Sequence, residues 1–385
     1  MAAGGGEHRQ HGKGRHQRLL FVVEENRIPD GGSYTYLIIR INLKEMFTSA
    51  TEAVDGAATM RSFPSPVAEL NTNPPRRERF NLAVVPGAGG GTNIVAVSFR
   101  RQTFIYDTAI AAEVPSGPEL RYTMSGGPAL LPLGTRLYAI PHFLWPPRRD
   151  EQPSFQALLP PAQQRGSNNG RRWIWRALPA PPPDMYQRLS VRGKEPFCFL
   201  TAFLAAGTRV WVSAPDRGTY SFDTVRLAWR KEGDWPLPFQ ERGLFVPELG
   251  LCFGLCPHRY CLCAFDLPGD EGNLPATRYA WQEESFPREC KDWGFHVQSP
   301  GSLAYLGDGK FCITWTIVTE CDQQGVPSRF ALFLMAVQVI RCAPPREAAA
   351  EADSAGDLQL VKHKVRCYKM SLRGINGYVL QPSLG

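Results

Sequence analysis

"GTRVWVSAPDRGTYSFDTVRLAWRKEGDWPLP", Gly207–Pro238, decides how the rest of the chain is read. Val210, Trp211 and Val212 form a β-rich run. Pro215, Asp216, Arg217 and Gly218 supply turn chemistry, and "TYSFD" (Thr219–Asp223) begins a second run. A third run centres on Trp229 and ends in the Pro-rich "WPLP". Upstream, "FCFLTAFLAAG" (Phe197–Gly207) is nearly all apolar and stops on a turn glycine, which supplies one more strand. Four short antiparallel strands in about 40 residues make one blade of a β-propeller.

A shorter echo, "GTRLYAI" at Gly134–Ile140, shows that the pattern repeats. "FNLAVVPGAGGGTNIVAVSFRRQTFIYDT" (Phe80–Thr108) runs apolar strand, glycine turn, strand, basic turn, strand. "GPALLPLGTRLYAIPHF" (127–143) with "RRWIWRALPAPPP" (171–183) repeats it around a long insertion. "ERGLFVPELGLCFGLCPHRYCLCAFD" (241–266) repeats it compactly, and "SPGSLAYLGDGKFCITWTIV" (299–318) with "RFALFLMAVQVIRC" (329–342) does so again. The N-terminal runs "RLLFVVEEN", "SYTYLIIRINL" and "ATMRSFPSP" read as second, third and fourth strands that lack a first. The unused strand "NGYVLQP" near the C-terminus fills that place, so Gly377–Pro382 is expected to close the ring and remove its free edges.

The expected fold is therefore all-β: a six-bladed kelch-like propeller of four-stranded antiparallel blades. A disordered basic tail, residues 1–17, precedes a single domain, 18–385. Its blades fall near 18–66 with 377–382, then 80–125, 127–183, 197–238, 241–285 and 299–370.

"YSFDTVRLAWRKEGDWPLP" (220–238) resembles a kelch repeat: an aromatic residue, Asp223, a short turn, Trp229 six residues after the Asp, then a Pro-rich exit. "YDT" (106–108) and "AFD" (264–266) are weaker copies, while the paired glycines usual in kelch repeats are absent. Over nearly its whole length the chain resembles a family of grass proteins known as a domain of unknown function. That resemblance implies a kelch-like propeller and no particular activity. Trp229 is expected in the core.

With 385 residues, 43% of them hydrophobic, 34 Pro and 36 Gly, the chain has core and turn residues enough for one large all-β unit. The first seventeen residues lack the apolar segment of a signal peptide, no apolar run is long enough to cross a bilayer, and no Asn-x-Ser/Thr sequon occurs. The expectation is a monomer of the cytoplasm or nucleus without membrane contact. All 10 cysteines lie from Cys198 onward, which fits reduced thiols on core strands. Cys252, Cys256, His258, Cys261 and Cys263 span one hairpin and could hold zinc, but their spacing is not that of a knuckle or ribbon. Alternation along the strands reads them instead as small core residues.

Nothing in the sequence asks for a cofactor or marks an enzyme. Gly-x-Ser-x-Gly, His-Glu-x-x-His and the Walker loop are all absent. "PGAGGGTN" (86–93) joins two strands and leads into no helix, so it reads as a hairpin turn. Outside the tail the histidines are His142, His258, His296 and His363, and none pair at the starts of adjacent blades as a copper oxidase built on a propeller would need. The adjacent pairs Glu24 with Glu25 and Glu283 with Glu284 point to opposite faces of their strands and read as solvated charge.

Charge is unevenly spread. Residues 1–200 hold 24 Lys and Arg against 16 Asp and Glu, so the net charge of +7 belongs to the first half. In an antiparallel blade the turn between strands two and three lies on the same face as the link to the next blade. That rule puts Arg27, Arg100, Arg101, Arg148, Arg149, Arg217 and Arg259 on one face, with Arg76, Arg77 and Arg79 from the first link. The acidic loop "APPREAAAEADSAGD" (343–357) falls on the other. Exposed arginine is ordinary on a wet turn, but a ring of it attracts acidic partners and can grip carboxylate or phosphate. In "RRWIWR" (171–176), Trp173 and Trp175 share one side as inter-blade packing. The favoured reading is a non-enzymatic module that binds an acidic protein through its basic face. A nucleic-acid binder comes second, supported by the tail "HRQHGKGRHQR", and a propeller enzyme third.

Overall fold

Ala202–Ala206, Arg209–Ala214, Gly218–Asp223 and Ala228–Gly233 pair in that order as an antiparallel sheet. Gly218 is obligatory at its turn: its φ is 84° and a side-chain carbon there would lie 2.1 Å from the Gly233 carbonyl. Asp223 closes the next turn, its Oδ1 accepting the backbone N–H of Val225 and Arg226 at 2.9 and 2.8 Å. The spacing from Asp to Trp follows, because Asp223 faces Ala228 and Phe222 faces Trp229 across the hairpin. Asp107 does the same work for Ala109 in its own unit.

The computed structural model describes residues 19–28, 33–43, 46–47, 60–71, 79–87, 91–113, 117–145, 155–161, 172–186, 198–257, 261–269, 273–282, 301–324, 327–342 and 357–382. Apart from one short helix, Pro183–Tyr186, the regular elements among them are β-strands, and the fold is all-β. Among the described residues the strands pair in sheets of four, four, two, eight, five and four, and six antiparallel units of four can be followed through them, the fourth and fifth joined where Ala202–Phe203 pairs in parallel with Glu241–Arg242. Unit 1 orders Gly374–Val379, Leu19–Arg27, Tyr34–Asn42 and Ala68–Asn71. Unit 2 is Phe80–Pro86, Thr92–Ser98, Thr103–Asp107 and Ala112–Glu113, and unit 3 is Pro128–Leu133, Arg136–Pro141, Gln156–Leu159 and Ile174–Ala177. Unit 4 is the sheet described first. Unit 5 is Gln240–Val246, Leu251–Leu255, Leu262–Phe265 and Thr277–Trp281, and unit 6 is Ser302–Tyr305, Lys310–Cys321, Pro327–Arg341 and Leu358–Lys369.

Each unit buries both faces, one on each neighbour, because successive side chains leave a strand on opposite sides. In unit 4, Phe203, Val212 and Phe222 pack with Tyr138 and Phe155 of unit 3. Their chain neighbours Leu204 and Trp211 pack with Phe239, Cys252 and Phe265 of unit 5. The same rule joins units 1 and 2 through Tyr36, Phe80 and Leu380, and units 2 and 3 through Val95, Leu137 and Trp175. Units 5 and 6 meet through Phe253, Phe311 and Trp315, and units 6 and 1 through Leu332, Leu334, Leu20 and Val379. Strands buried on both sides read as unbroken apolar runs, which is the origin of "FALFLMAV" in unit 6.

Three details depart from expectation. "ATMRSFPSP" is not the fourth strand of unit 1: Met60–Ser62 leaves to pair in parallel with Cys367–Lys369 of unit 6, and Phe63 stacks on Tyr368. Pro64 and Pro66 have no N–H to donate, so the chain rejoins unit 1 only at Ala68–Asn71. The upstream apolar run of unit 4 divides as well. Cys198–Phe199 pairs with Phe143–Leu144, and Ala202–Ala206 alone serves the unit. Trp229, expected in the core, is only partly buried. It leans on Phe155 and Phe222, and its Nε1 donates to the Pro179 carbonyl at 2.9 Å, so it clasps unit 4 to unit 3 at the rim.

Candidate functional site

The first strands of all six units line one cavity of about 460 Å³, with polar and apolar side chains in similar share. Its walls come from the beginnings of those strands, among them Phe80–Leu82, Gln240–Arg242 and residues 301–303, and from the segment 376–381. Most of the wall therefore lies toward the end where the links between units enter. Antiparallel alternation puts the turns between second and third strands at that end too.

Those turns carry four of the arginines named from sequence within the described residues: Arg27, Arg100, Arg101 and Arg217. Arg27 and Arg100 are exposed, and the Arg100 guanidinium lies 5.3 Å above the Phe99 ring. Arg217 is half-buried. Arg101 is committed to its own loop: its Nε donates to the Leu120 carbonyl and its Nη2 lies 3.3 Å from Glu119. Arg79 is also engaged, with Nε 3.2 Å from Glu25 Oε1 and its guanidinium over the Tyr34 ring. Arg76, Arg77, Arg148, Arg149 and Arg259 lie outside the described residues.

Glu24 and Glu25 do point to opposite faces, but neither is solvated; they are 2% and 5% exposed. The Glu24 carboxylate accepts the Ser371 N–H at 2.7 Å, while Glu25 faces the cavity. Burial pushes the Glu25 carboxyl above its ordinary range, against the smaller opposing pulls of Arg79 and the Asn376 side chain. The folded chain thus holds this proton more tightly than the unfolded chain. Stability from this group is greatest below the ordinary value of 4.5 and falls as pH rises through the raised one. Glu25→Gln should remove that loss, so urea melts in mildly acid and neutral buffer should diverge less for the variant than for the wild type. Equal divergence would place Glu25 in water.

Gln240, Glu241 and Arg242 reach the cavity through a β-bulge. Gln240 faces Leu255 and Leu244 faces Phe253, so three residues of one strand stand against one of its partner. Glu241 adopts φ of 58°, a conformation that side chains other than glycine seldom take. Gly254, the residue opposite the bulge, is needed for space, since a side-chain carbon there would lie 2.6 Å from Phe239 Cβ. Glu241 Oε2 lies 4.0 Å from His142 Nε2, and His142 Nδ1 is 3.0 Å from the Gly127 carbonyl. That contact calls for the proton on Nδ1 and leaves Nε2 toward Glu241 and the cavity. The site thus combines carboxylates, an imidazole and a guanidinium around one open cavity.

Sequence reasoning missed Glu25, Glu241 and Arg242. The available signal was "QERG" (240–243), two charges at the start of a strand whose counterparts elsewhere are apolar. The tryptophans of "RRWIWR" behave as read: Trp175 is buried between units 2 and 3, its Nε1 donating to Thr103 Oγ1 at 2.9 Å. "PGAGGGTN" joins two paired strands as a hairpin, with Gly87 N–H on the Gly91 carbonyl at 2.8 Å. Cys252 and Cys263 fill the interface of units 4 and 5, where burial pushes the Cys263 thiol up to about 12. Among the described residues no group of three or more His, Cys, Asp or Glu is placed to hold a metal, and His258 lies outside them. Nor is any helix among them long and apolar enough to cross a membrane.

Comparison with solved structures finds loose likenesses over most of the chain. The β-propeller domain of Cps50 (Swd1) from Myceliophteria thermophila is 10% identical, with 88% of this chain and 85% of that one covered and a TM-score of 0.37. The periplasmic gluconolactonase PpgL of Pseudomonas aeruginosa is 9% identical, covering 92% and 99%, with a TM-score of 0.43. A protein of unknown function from Bacteroides thetaiotaomicron is 8% identical, covering 82% and 76%, with a TM-score of 0.35. No curated protein matches the chain. Residues 17–368 match the family model described as "Protein of unknown function (DUF1668)", and the chain belongs to that family.

Proposed function

We propose that this chain is a six-bladed, kelch-like propeller closed by Gly374–Val379, and that it is a non-enzymatic binding module. Residues 18–385 act as one domain, a monomer working in the cytoplasm or nucleus. It takes an acidic protein on the face that carries Arg27, Arg76, Arg77, Arg100, Arg148, Arg149, Arg217 and Arg259. The observation that supports this reading is the shared end: the turns bearing Arg27, Arg100 and Arg217 lie at the end of the strands that supplies most of the cavity wall. A partner docking there meets clustered positive charge, which raises encounter rates and orients the approach. Arg101 stays out of the contact set because its guanidinium closes its own loop.

The test reverses four charges, Arg27, Arg100, Arg148 and Arg149 to Glu. A control chain places four reversed charges in and beside the segment 343–357, which the sequence pattern assigns to the opposite face. Both should melt like the wild type, since surface changes usually stay within about 0.5 kcal/mol. The face variant should bind polyglutamate at least about tenfold more weakly at low salt, where screening is least, and the control variant should bind as the wild type does. Equal losses would assign the binding to net charge and end the reading. Tighter binding to random single-stranded RNA than to polyglutamate, with a steep salt slope, would favour the nucleic-acid alternative.

A further inference from the structure

Arg242 stands on the bulge of unit 5 and forms part of the wall of two chambers. One is the cavity of about 460 Å³; the other, of about 220 Å³, lies beyond it toward Val84, Pro132, Leu244 and Tyr305. Among the described residues the Arg242 guanidinium has no hydrogen bond or ion pair. The acidic residue beside it in the chain, Glu241, turns instead to His142. Burial alone pulls the Arg242 pKa down to about 10, with no neighbouring carboxylate opposing it. At neutral pH the group is therefore a partly buried cation that no described carboxylate pairs with directly, an arrangement that costs the fold stability. The strained backbone of Glu241 and the register shift beside it hold the cation in place.

We propose that the axial cavity is a binding site for a small hydroxy-carboxylate, with Arg242 gripping the carboxylate and Gln240 and Glu241 taking the hydroxyl groups. A planar guanidinium matches a carboxylate through two parallel hydrogen bonds. One uncompensated positive charge is matched by one negative charge. A phosphate dianion would bring a second negative charge toward Glu241 and Glu25, which line the same cavity, and is disfavoured. The volume suits a molecule of metabolite size. None of the four reversed arginines lines the cavity, so that variant should keep a saturable response at a salt concentration that screens the face.

The experiment follows thermal unfolding and calorimetric titration of the full-length chain against monocarboxylates of rising size, from glycolate to gluconate. Their neutral amides and inorganic phosphate serve as controls. A saturable rise in melting temperature is expected with at least one carboxylate and with none of the controls. Arg242→Met should weaken that binding about tenfold or more, the loss typical of a charged hydrogen-bond partner. Its ligand-free melting temperature should equal or exceed that of the wild type, because an unpaired buried charge has been removed. Arg242→Lys should keep part of the response. Absence of any carboxylate effect, equal binding by Arg242→Met, or a stronger response to phosphate would overturn the proposal. A fall in ligand-free melting temperature shared by both variants would make Arg242 a structural residue and overturn it equally.

Discussion

Removal of residues 374–385 should leave a chain that no longer melts cooperatively and that aggregates on purification. Gly374–Val379 is the first strand of unit 1 although it comes last in the chain, and it pairs with Val22–Asn26. It also ties unit 1 to unit 6. The Gly377 N–H donates to Thr316 Oγ1 at 2.9 Å, and the Val379 N–H donates to Ser302 Oγ at 2.8 Å. Beyond the strand, Gln381 Oε1 accepts the Tyr305 N–H at 2.7 Å, and Leu380 fills the interface of units 1 and 2. Truncation would expose the buried faces of Leu20 and Val22 and an unpaired strand edge, a template for association between chains. The two apolar interfaces lost with it can exceed the whole stability of a domain, about 5 to 15 kcal/mol. Size-exclusion chromatography and a thermal melt decide the matter: a monomer with unchanged melting would show that the strand is dispensable.

Trp315→Ala should cost about 3 to 5 kcal/mol, the range for truncating a large core aromatic. Trp315 is 0% exposed in the second strand of unit 6, faces Phe333 across the ladder, and packs at the interface with unit 5. Rigid neighbours surround it on both sheets, so the space it leaves cannot collapse. Trp229→Ala, at the rim of unit 4, should cost roughly 2 kcal/mol or less, since that ring is already partly in water. Urea melts of the two variants check the order. A cost below about 1 kcal/mol for Trp315→Ala would contradict its place in the core.

Much of the strand pattern was legible because it is local. In Gly207–Pro238 the turn residues Gly218 and Asp223 act within a few positions of themselves, and β-rich runs lie between them. The parity of Trp173 and Trp175 follows from the two-residue period of a strand, and the structure buries Trp175 accordingly. Met60–Ser62 was read wrongly because strand propensity carries no address. The segment is short and polar, and only the open edge at Cys367–Lys369 decides where it pairs. Trp229 was placed too deep because a hydrophobic ring shows its type in the sequence but not the width of the gap it fills.

The order of strands, the turn chemistry between them and the doubly apolar character of strands such as Pro327–Arg341 can be read along the chain. All of these rest on periodicity and on contacts only a few residues apart. Only the tertiary structure decided the site. Glu25, His142 and Arg242 come from units 1, 3 and 5, and each reads alone as an ordinary polar residue at the end of a strand. Their chemistry arises when six first strands converge and exclude bulk water. Desolvation then raises the pKa of one carboxyl and lowers that of one guanidinium. The low-dielectric walls that produce those shifts are assembled from residues as far apart in the chain as Glu25 and Gln381, a separation at which no sequence period operates.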